Sequence, residues 1–128
     1  MSVTYVLIGA TGAEIAGYYT LAATSVLLSD LPPAVAKRLP KYPAVPAILI
    51  GRLAVALNYR GQGLGELLLI DALRRSLQSS ETIGATAVVT DAKDEEAASF
   101  YRRYDFQQCE GMPRRLFIPM GTVAQLFG

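Results

Sequence analysis

Six residues, Arg60-Gly61-Gln62-Gly63-Leu64-Gly65, carry the clearest chemical signal in this chain. They follow an apolar, strand-like run from Ile48 to Leu57 and open a long apolar helix. A strand, a glycine-rich turn and a helix start together make an anion cradle. Glycines let the backbone approach a phosphate, and the unpaired N–H groups of the first helical turn point at it. The helix dipole adds about half a positive charge at that end, and Arg60 supplies a full one. The expected chemistry is the binding of a phosphate-bearing ligand. The turn is not a P-loop, because no Gly-Lys-Ser/Thr follows. It is not the dinucleotide fingerprint either, because the spacing differs and no acidic residue ends a following strand at the right distance. A turn that merely joins strand to helix does not demand three glycines and an arginine.

Other chemistries are narrowed by what the chain lacks. There is no histidine, so the commonest general base and the commonest zinc ligand are missing. The single cysteine, Cys109, allows no internal disulfide and reads as a packing residue. Asp94, Glu95 and Glu96 suit the positive end of a helix better than a metal, and no metal site is expected. The net charge of +1 excludes a strongly basic nucleic-acid binder by total charge, though not a local basic patch. No charged segment precedes an apolar leader, and no apolar run is long enough to span a bilayer, so a cytoplasmic protein is expected.

The elements that must position the loop follow from periodicity. The length of 128 residues, 52% of them apolar, fits one domain with one core. Thr4 to Ile8 and Glu14 to Val26 read as strands of a β-hairpin around the turn Gly9 to Ala13. Leu31 to Pro46 holds five of the seven prolines. It is expected to be a long ordered loop with a helical turn at Ala34–Arg38, and not a central strand. Ala47 to Leu57 is the third strand, and Gly63 to Gln78 a helix. The polar residues of that helix form a single stripe, so it is largely buried against the sheet. Gly84 ends the connection, and Ala85 to Thr90 is a short apolar strand of the parallel kind. Asp94 to Tyr104 is a second helix with Asp94 as its N-cap. Phe106 to Cys109 and Arg115 to Met120 make a final antiparallel pair. The fold class is α/β (α+β).

Longer stretches carry a resemblance. The run GRLAV-x-x-x-YRGQGLG-x-x-L-x-x-D-A-L-x-R, the segment VTDAKDEEAASFYRRYDF, the strand AGYYTLAATSV and the proline-rich LPKYPAVPAILIGRLAV resemble the GNAT acetyltransferases. Within that family they resemble the GNAT toxins of bacterial toxin–antitoxin pairs. The resemblance covers nearly the whole chain in order, as a single GNAT domain over 1–128. It implies a mixed, mostly antiparallel sheet splayed at the cofactor site, with acetyl-CoA wedged in the split. By resemblance, Leu53, Ala54 and Val55 offer backbone groups to the pantetheine arm. Arg60, Gly61, Gln62, Gly63, Leu64 and Gly65 hold the pyrophosphate. An extended amide-bearing arm can indeed pair with an open strand edge.

The resemblance makes Tyr101 the candidate catalytic residue, as general acid to the departing thiolate. A tyrosine hydroxyl can donate that proton directly. By periodicity alone Tyr101 is a core aromatic sharing a face with Ala97 and Tyr104. Tyr18 and Tyr19 alternate faces on their strand, so only one looks into the cleft. Many family members carry a glutamate base on the strand before the loop. Here that strand has no carboxylate, and its one charged residue, Arg52, either faces nucleic acid or pairs inside the domain. An acceptor amine of low pKa needs little help, and the α-amine of an aminoacyl ester is one.

The implied function is therefore acetyl transfer to the amino group of aminoacyl-tRNA, which blocks translation. The implied partners are acetyl-CoA, aminoacyl-tRNA, a ribbon-helix-helix antitoxin and a second copy of the chain. Arg102-Arg103 with Arg114-Arg115 is the best candidate cluster for a tRNA surface. The alternatives are a GNAT enzyme of a small amine or protein amine, and an inactive interaction module that keeps the fold. The family's first strand and first two helices have no counterpart before Thr4. An N-terminally truncated GNAT fold, intact on its cofactor half, is expected.

Overall fold

The computed structural model describes residues 2–128. Strands β1 (Ser2–Ile8) and β2 (Ile15–Leu27) form the expected antiparallel hairpin, with Gly12 at a φ of 75° in the turn. β3 (Ala44–Val55) lies antiparallel to β2, and β4 (Ala87–Asp91) lies parallel to β3. β5 (Gln107–Cys109) and β6 (Met112–Pro119) pair with each other, and β6 pairs with β4. The result is one mixed sheet in the order β1-β2-β3-β4-β6-β5, with a single parallel pair at its centre.

Short α1 (Pro33–Ala36) sits in the proline-rich segment; α2 (Leu64–Ile83), α3 (Glu95–Arg102) and α4 (Met120–Phe127) follow later in the chain. The larger core gathers Leu68, Leu69 and Leu73 of α2 with Tyr19, Ile50 and Val88 of the sheet and Val123 of α4. Burying each such aliphatic side chain is worth about 1.5–3 kcal/mol. The opposite face has its own cluster, in which Leu31, Val35 and Leu39 of the proline-rich segment cover Val26, Ala47, Val89 and Phe117. β4 is therefore buried on both faces, as its unbroken apolar run requires. Among the described residues, no helix is long and apolar enough to cross a membrane.

The structure moves several boundaries, among them the start of β6, which is Met112 and not Arg115. β3 begins at Ala44 and so takes in Pro46, although it is a central strand. The proline is tolerated because its carbonyl faces Thr86, accepting from the backbone N–H at 2.8 Å and from the hydroxyl at 2.9 Å. Its missing N–H falls on that same side, ahead of Ile48, the first β3 residue that pairs with β4. β3 also stops at Val55, where a 3₁₀ turn (Leu57–Tyr59) takes over. α2 runs on past Gln78 until Gly84, whose φ of 67° ends it. α3 stops at Arg102, and the chain turns through Asp105 at a φ of 70°. Helix α4 was not anticipated. Its apolar residues at 120, 123 and 127 pack on the core, and the Arg74 guanidinium lies 5.1 Å from the Phe127 ring.

Candidate active site

β3 and β4 pair only at Ile48↔Val88, Leu49↔Val89 and Ile50↔Thr90, and beyond that point they part. The parting begins at a β-bulge. Tyr19 lies opposite Leu53 and Leu21 opposite Ile50, so Gly51 and Arg52 together face the single residue Thr20. The Thr20 hydroxyl fills the bulge, accepting the Arg52 backbone N–H at 3.0 Å. A Cβ on Gly51 would stand 2.7 Å from that same oxygen, so a side chain there would have to displace the Thr20 hydroxyl.

The bulge shifts the phase of the strand. Past it, Arg52 and Ala56 send their N–H groups toward β2, the latter to the Ala16 carbonyl at 2.8 Å. Alternation then turns the backbone groups of Ala54 toward β2 and those of Leu53 and Val55 toward the open edge. Of the three residues expected to offer backbone groups, Leu53 and Val55 are placed to do so. Ala54 borders the cleft with its small side chain.

The glycine loop lies at one end of this edge. Gly61 and Gly63 have φ of 81° and 76°, in the left-handed region that glycine enters without strain. Gly63 is the N-cap of α2 and has no side chain to cap it. The contrast is α3, where the Asp94 carboxylate accepts the Ala97 N–H at 2.8 Å. The first N–H groups of α2 are thus left for a ligand. Gly65 needs no special backbone, and a Cβ there would meet Phe100 at an ordinary 3.7 Å. Its lack of a side chain serves the cleft it borders. Val55, Tyr59, Arg60, Gly61, Gly63, Leu64, Gly65 and Glu96 line a hollow of about 280 Å³ at the helix start. Gln62 does not line it.

A groove of about 440 Å³ continues from the loop along Leu53, Val55 and Phe100 to Tyr101. It meets a cavity of about 410 Å³ at the split, lined by Tyr18, Gly51, Arg52, Thr90, Asp91, Lys93 and Tyr101 among others. Tyr101 belongs to both, so it stands where a long ligand lying in the groove would reach the second cavity. It is 6% exposed and packs on Phe100 and Phe106 at centroid distances of 5.3 and 5.2 Å. Burial raises the pKa of its phenol, and the nearby Thr90 hydroxyl opposes the rise. The core reading and the cleft reading of Tyr101 therefore hold together.

Tyr18 is the tyrosine that faces the cleft. Tyr19 is buried under α2 and donates to the Asp71 carboxylate, which also accepts from Arg75 at 3.1 Å. Burial, then Asp71, pushes the Tyr19 pKa well up. Arg52 lines the cavity and makes no ion pair among the described residues, which leaves the outward-facing reading for it. The proposed basic cluster is largely spent internally. Arg102 pairs with Glu95 at 2.8 Å, Arg115 grips Asp91 through two bonds of 2.8 and 3.0 Å, and Arg114 donates to the Lys93 carbonyl at 3.1 Å. Cys109 is buried, and burial pushes its thiol up to about 11, as suits a packing residue. Sequence reasoning missed Thr90 and Lys93 as cavity residues. Thr90 is a hydroxyl at the end of an apolar strand, a signal that was there to be read.

Comparison with known proteins bears on the family and the fold. The family model described as the acetyltransferase (GNAT) domain matches residues 5–108. A curated relative, the tRNA-acetylating toxin of Mycobacterium tuberculosis, is 38% identical over 115 residues, covering 90% of this chain and 68% of that protein. A tyrosine-to-phenylalanine mutant of KacT superposes with a TM-score of 0.89 at 32% identity, covering 97% of this chain and 74% of that one. AtaT complexed with acetyl-methionyl-tRNAfMet superposes with a TM-score of 0.88 at 29% identity, covering 98% and 75%.

Proposed function

The chain belongs to the GNAT acetyltransferase family, and from that premise we propose that it is a toxin that acetylates the α-amine of aminoacyl-tRNA and so blocks translation. As an N-acetyltransferase of this family it draws its acetyl group from acetyl-CoA. The uncapped start of α2 with Arg60 would hold the pyrophosphate, and the open edge at Leu53 and Val55 would pair with the pantetheine amides. The thioester would then lie at Tyr101. The acceptor amine attacks the thioester carbonyl, and a backbone N–H of the open edge stabilises the oxyanion that develops. As the C–S bond breaks, the Tyr101 hydroxyl gives its proton to the leaving sulfur, and the acceptor nitrogen sheds one proton to water, from which Tyr101 is reprotonated.

The observation that favours aminoacyl-tRNA as acceptor is the charge of the second cavity. Arg52 and Lys93 line it without ion-pair partners among the described residues, and its one carboxylate, Asp91, is held by Arg115. No free carboxylate stands there to deprotonate or to attract a cationic amine. A polyamine or a lysine side chain would meet like charge. An aminoacyl ester brings an amine of low pKa on a polyanion, which suits both features. The names of the relatives point the same way, one a tRNA-acetylating toxin and one a complex with acetyl-methionyl-tRNAfMet. The test is transfer of radiolabelled acetyl from acetyl-CoA to charged tRNA, set beside a polyamine and peptide panel. Label is expected on the aminoacyl group; label on a polyamine alone would sink this reading.

A further inference from the structure

We infer that the turn of the β1–β2 hairpin braces the phosphate loop: Tyr59 seats on Gly9 and Asn58 bonds Glu14, so that Arg60 departs from a fixed point. The inference rests on the reading of Arg60 to Gly65 as the pyrophosphate cradle. It starts from strand register. β2 begins where β3 ends, with Gly17 opposite Val55, and the Ala56 N–H reaches back to the Ala16 carbonyl at 2.8 Å. Two turns are thereby brought side by side. One joins β1 to β2 and is closed by the Gly9 N–H, which donates to the Glu14 carbonyl at 2.8 Å. The other is the 3₁₀ turn Leu57–Tyr59, closed by the Tyr59 N–H, which donates to the Ala56 carbonyl at 2.9 Å.

Gly9 shows what the contact needs. Its φ lies outside the left-handed region, unlike that of Gly12 in the same turn. A left-handed backbone is therefore not the reason for a glycine here. A Cβ on Gly9 would stand 2.9 Å from the Tyr59 Cζ, and closer still to the phenol oxygen. Real Cβ atoms do not come so near, so Tyr59 reaches its place only over a glycine. Beside it, the Asn58 side-chain amide donates to the Glu14 carboxylate at 3.2 Å. This exposed bond ties the same two turns a second time.

The consequence falls on the cradle. Tyr59 lines the hollow at the start of α2 together with Arg60, Gly61 and Gly63. Gly61 and Gly63 have left-handed φ. Beyond their chain neighbours, nothing among the described residues lies within 4 Å of where a Cβ would stand on either. Packing from the side therefore does not order them. Glycine gives up more conformational freedom than any other residue when it is fixed. A loop built from glycines would lose that freedom on ligand binding unless the fold holds its ends. α2 holds the end at Leu64. Tyr59 and Asn58 hold the end at Arg60, so the cradle is ordered before its ligand arrives.

Gly9→Ala forces the Tyr59 ring off its seat, and Tyr59→Ala empties the seat. Each should weaken acetyl-CoA binding about tenfold by calorimetry, the loss expected when a loop must be ordered on binding. The KM for acetyl-CoA should rise with it, while kcat at saturating cofactor stays within about twofold, because Tyr101 and the split are untouched. The decisive reading is the double variant. With the Tyr59 ring gone, a methyl on Gly9 meets only the Glu14 carbonyl at an ordinary 3.5 Å. G9A/Y59A should therefore bind as Y59A alone does. Losses that simply add would show that Gly9 serves the hairpin and not Tyr59, and would overturn the inference, as would wild-type binding in G9A. Should G9A not fold, Y59A and Asn58→Ala carry the test. N58A, at an exposed position, should weaken binding about threefold, and wild-type binding in both variants would overturn the inference. If Gly63→Val binds acetyl-CoA as wild type, the cradle reading falls and the brace with it. Weak binding in G63V beside wild-type binding in G9A removes the brace alone.

Discussion

At Tyr101 one side chain is both packed in the core and placed along the cleft. Its ring packs on Phe100 and Phe106, and that packing raises the phenol pKa above the ordinary 10.0. For a general acid the direction matters. A raised pKa keeps the proton in place through the neutral range, so the alkaline loss of kcat assigned to this group should have its midpoint above the ordinary 10.0. A pH profile that fell between neutrality and pH 9 on account of Tyr101 would contradict this. Tyr101→Phe keeps the ring and removes the proton. Transfer should drop by about 10²–10⁴-fold while calorimetry finds acetyl-CoA binding unchanged. Periodicity could not separate the two roles, because both demand an aromatic on the inner face of α3. Tyr18 and Tyr19 make the same point: alternation says that one faces the cleft, and only the register of β2 against β3 says which.

At the scale of elements, the site is a set of interrupted rules. Helix α2 begins on an uncapped glycine, β3 carries a bulge, and β4 leaves β3 after Ile50↔Thr90. Each interruption leaves backbone groups without the partners that a regular element would have given them. Gly63 tests this directly, since its φ of 76° admits a side chain only with strain. Gly63→Val should destabilise the fold by about 1–3 kcal/mol and weaken acetyl-CoA binding more than tenfold. The checks are thermal melting and calorimetry, and a variant that binds as wild type would show that the loop does not act through its backbone. The loop was legible because three glycines and an arginine at a helix start leave few readings. The bulge was not, because it depends on Thr20, which lies on a different strand.

At the scale of the molecule, α2 ties the hairpin to the rest of the sheet through one charged cluster. Tyr19 donates to Asp71, Arg75 bonds the same carboxylate, and the Arg75 guanidinium lies 4.1 Å from the ring centroid of Tyr5, which stacks on Tyr19. Burial pushes the Asp71 carboxyl up, but the bonds from Tyr19 and Arg75 outweigh it and hold the pKa below 3.8. A depressed folded-state pKa means stability that is fully present above the unfolded value and lost as pH falls through the folded one. Melting temperature should therefore fall as pH drops below about 4. Asp71→Asn should melt lower than wild type at pH 7 and lose less between pH 5 and pH 2.5. Equal acid slopes in the two proteins would exclude Asp71 from the acid transition. The carboxylate is partly exposed, so the effect is a modest one.

The sequence by itself determined most of the elements, the glycine-rich turn at a helix start, the family and hence the acetyl donor. Those are properties of neighbouring residues, written in spacing and type. The tertiary structure decided where the sheet splits, which backbone groups face the opening and which cations lack an ion-pair partner among the described residues. It gave Arg102 and Arg115 to internal ion pairs while Arg52 and Lys93 stayed at the cavity. It also set the Thr90 hydroxyl on the Ile50 carbonyl, at the point where β3 and β4 part. These contacts join residues far apart in the chain. They follow from strand register and from the bulge that resets it, which no local pattern in the sequence records.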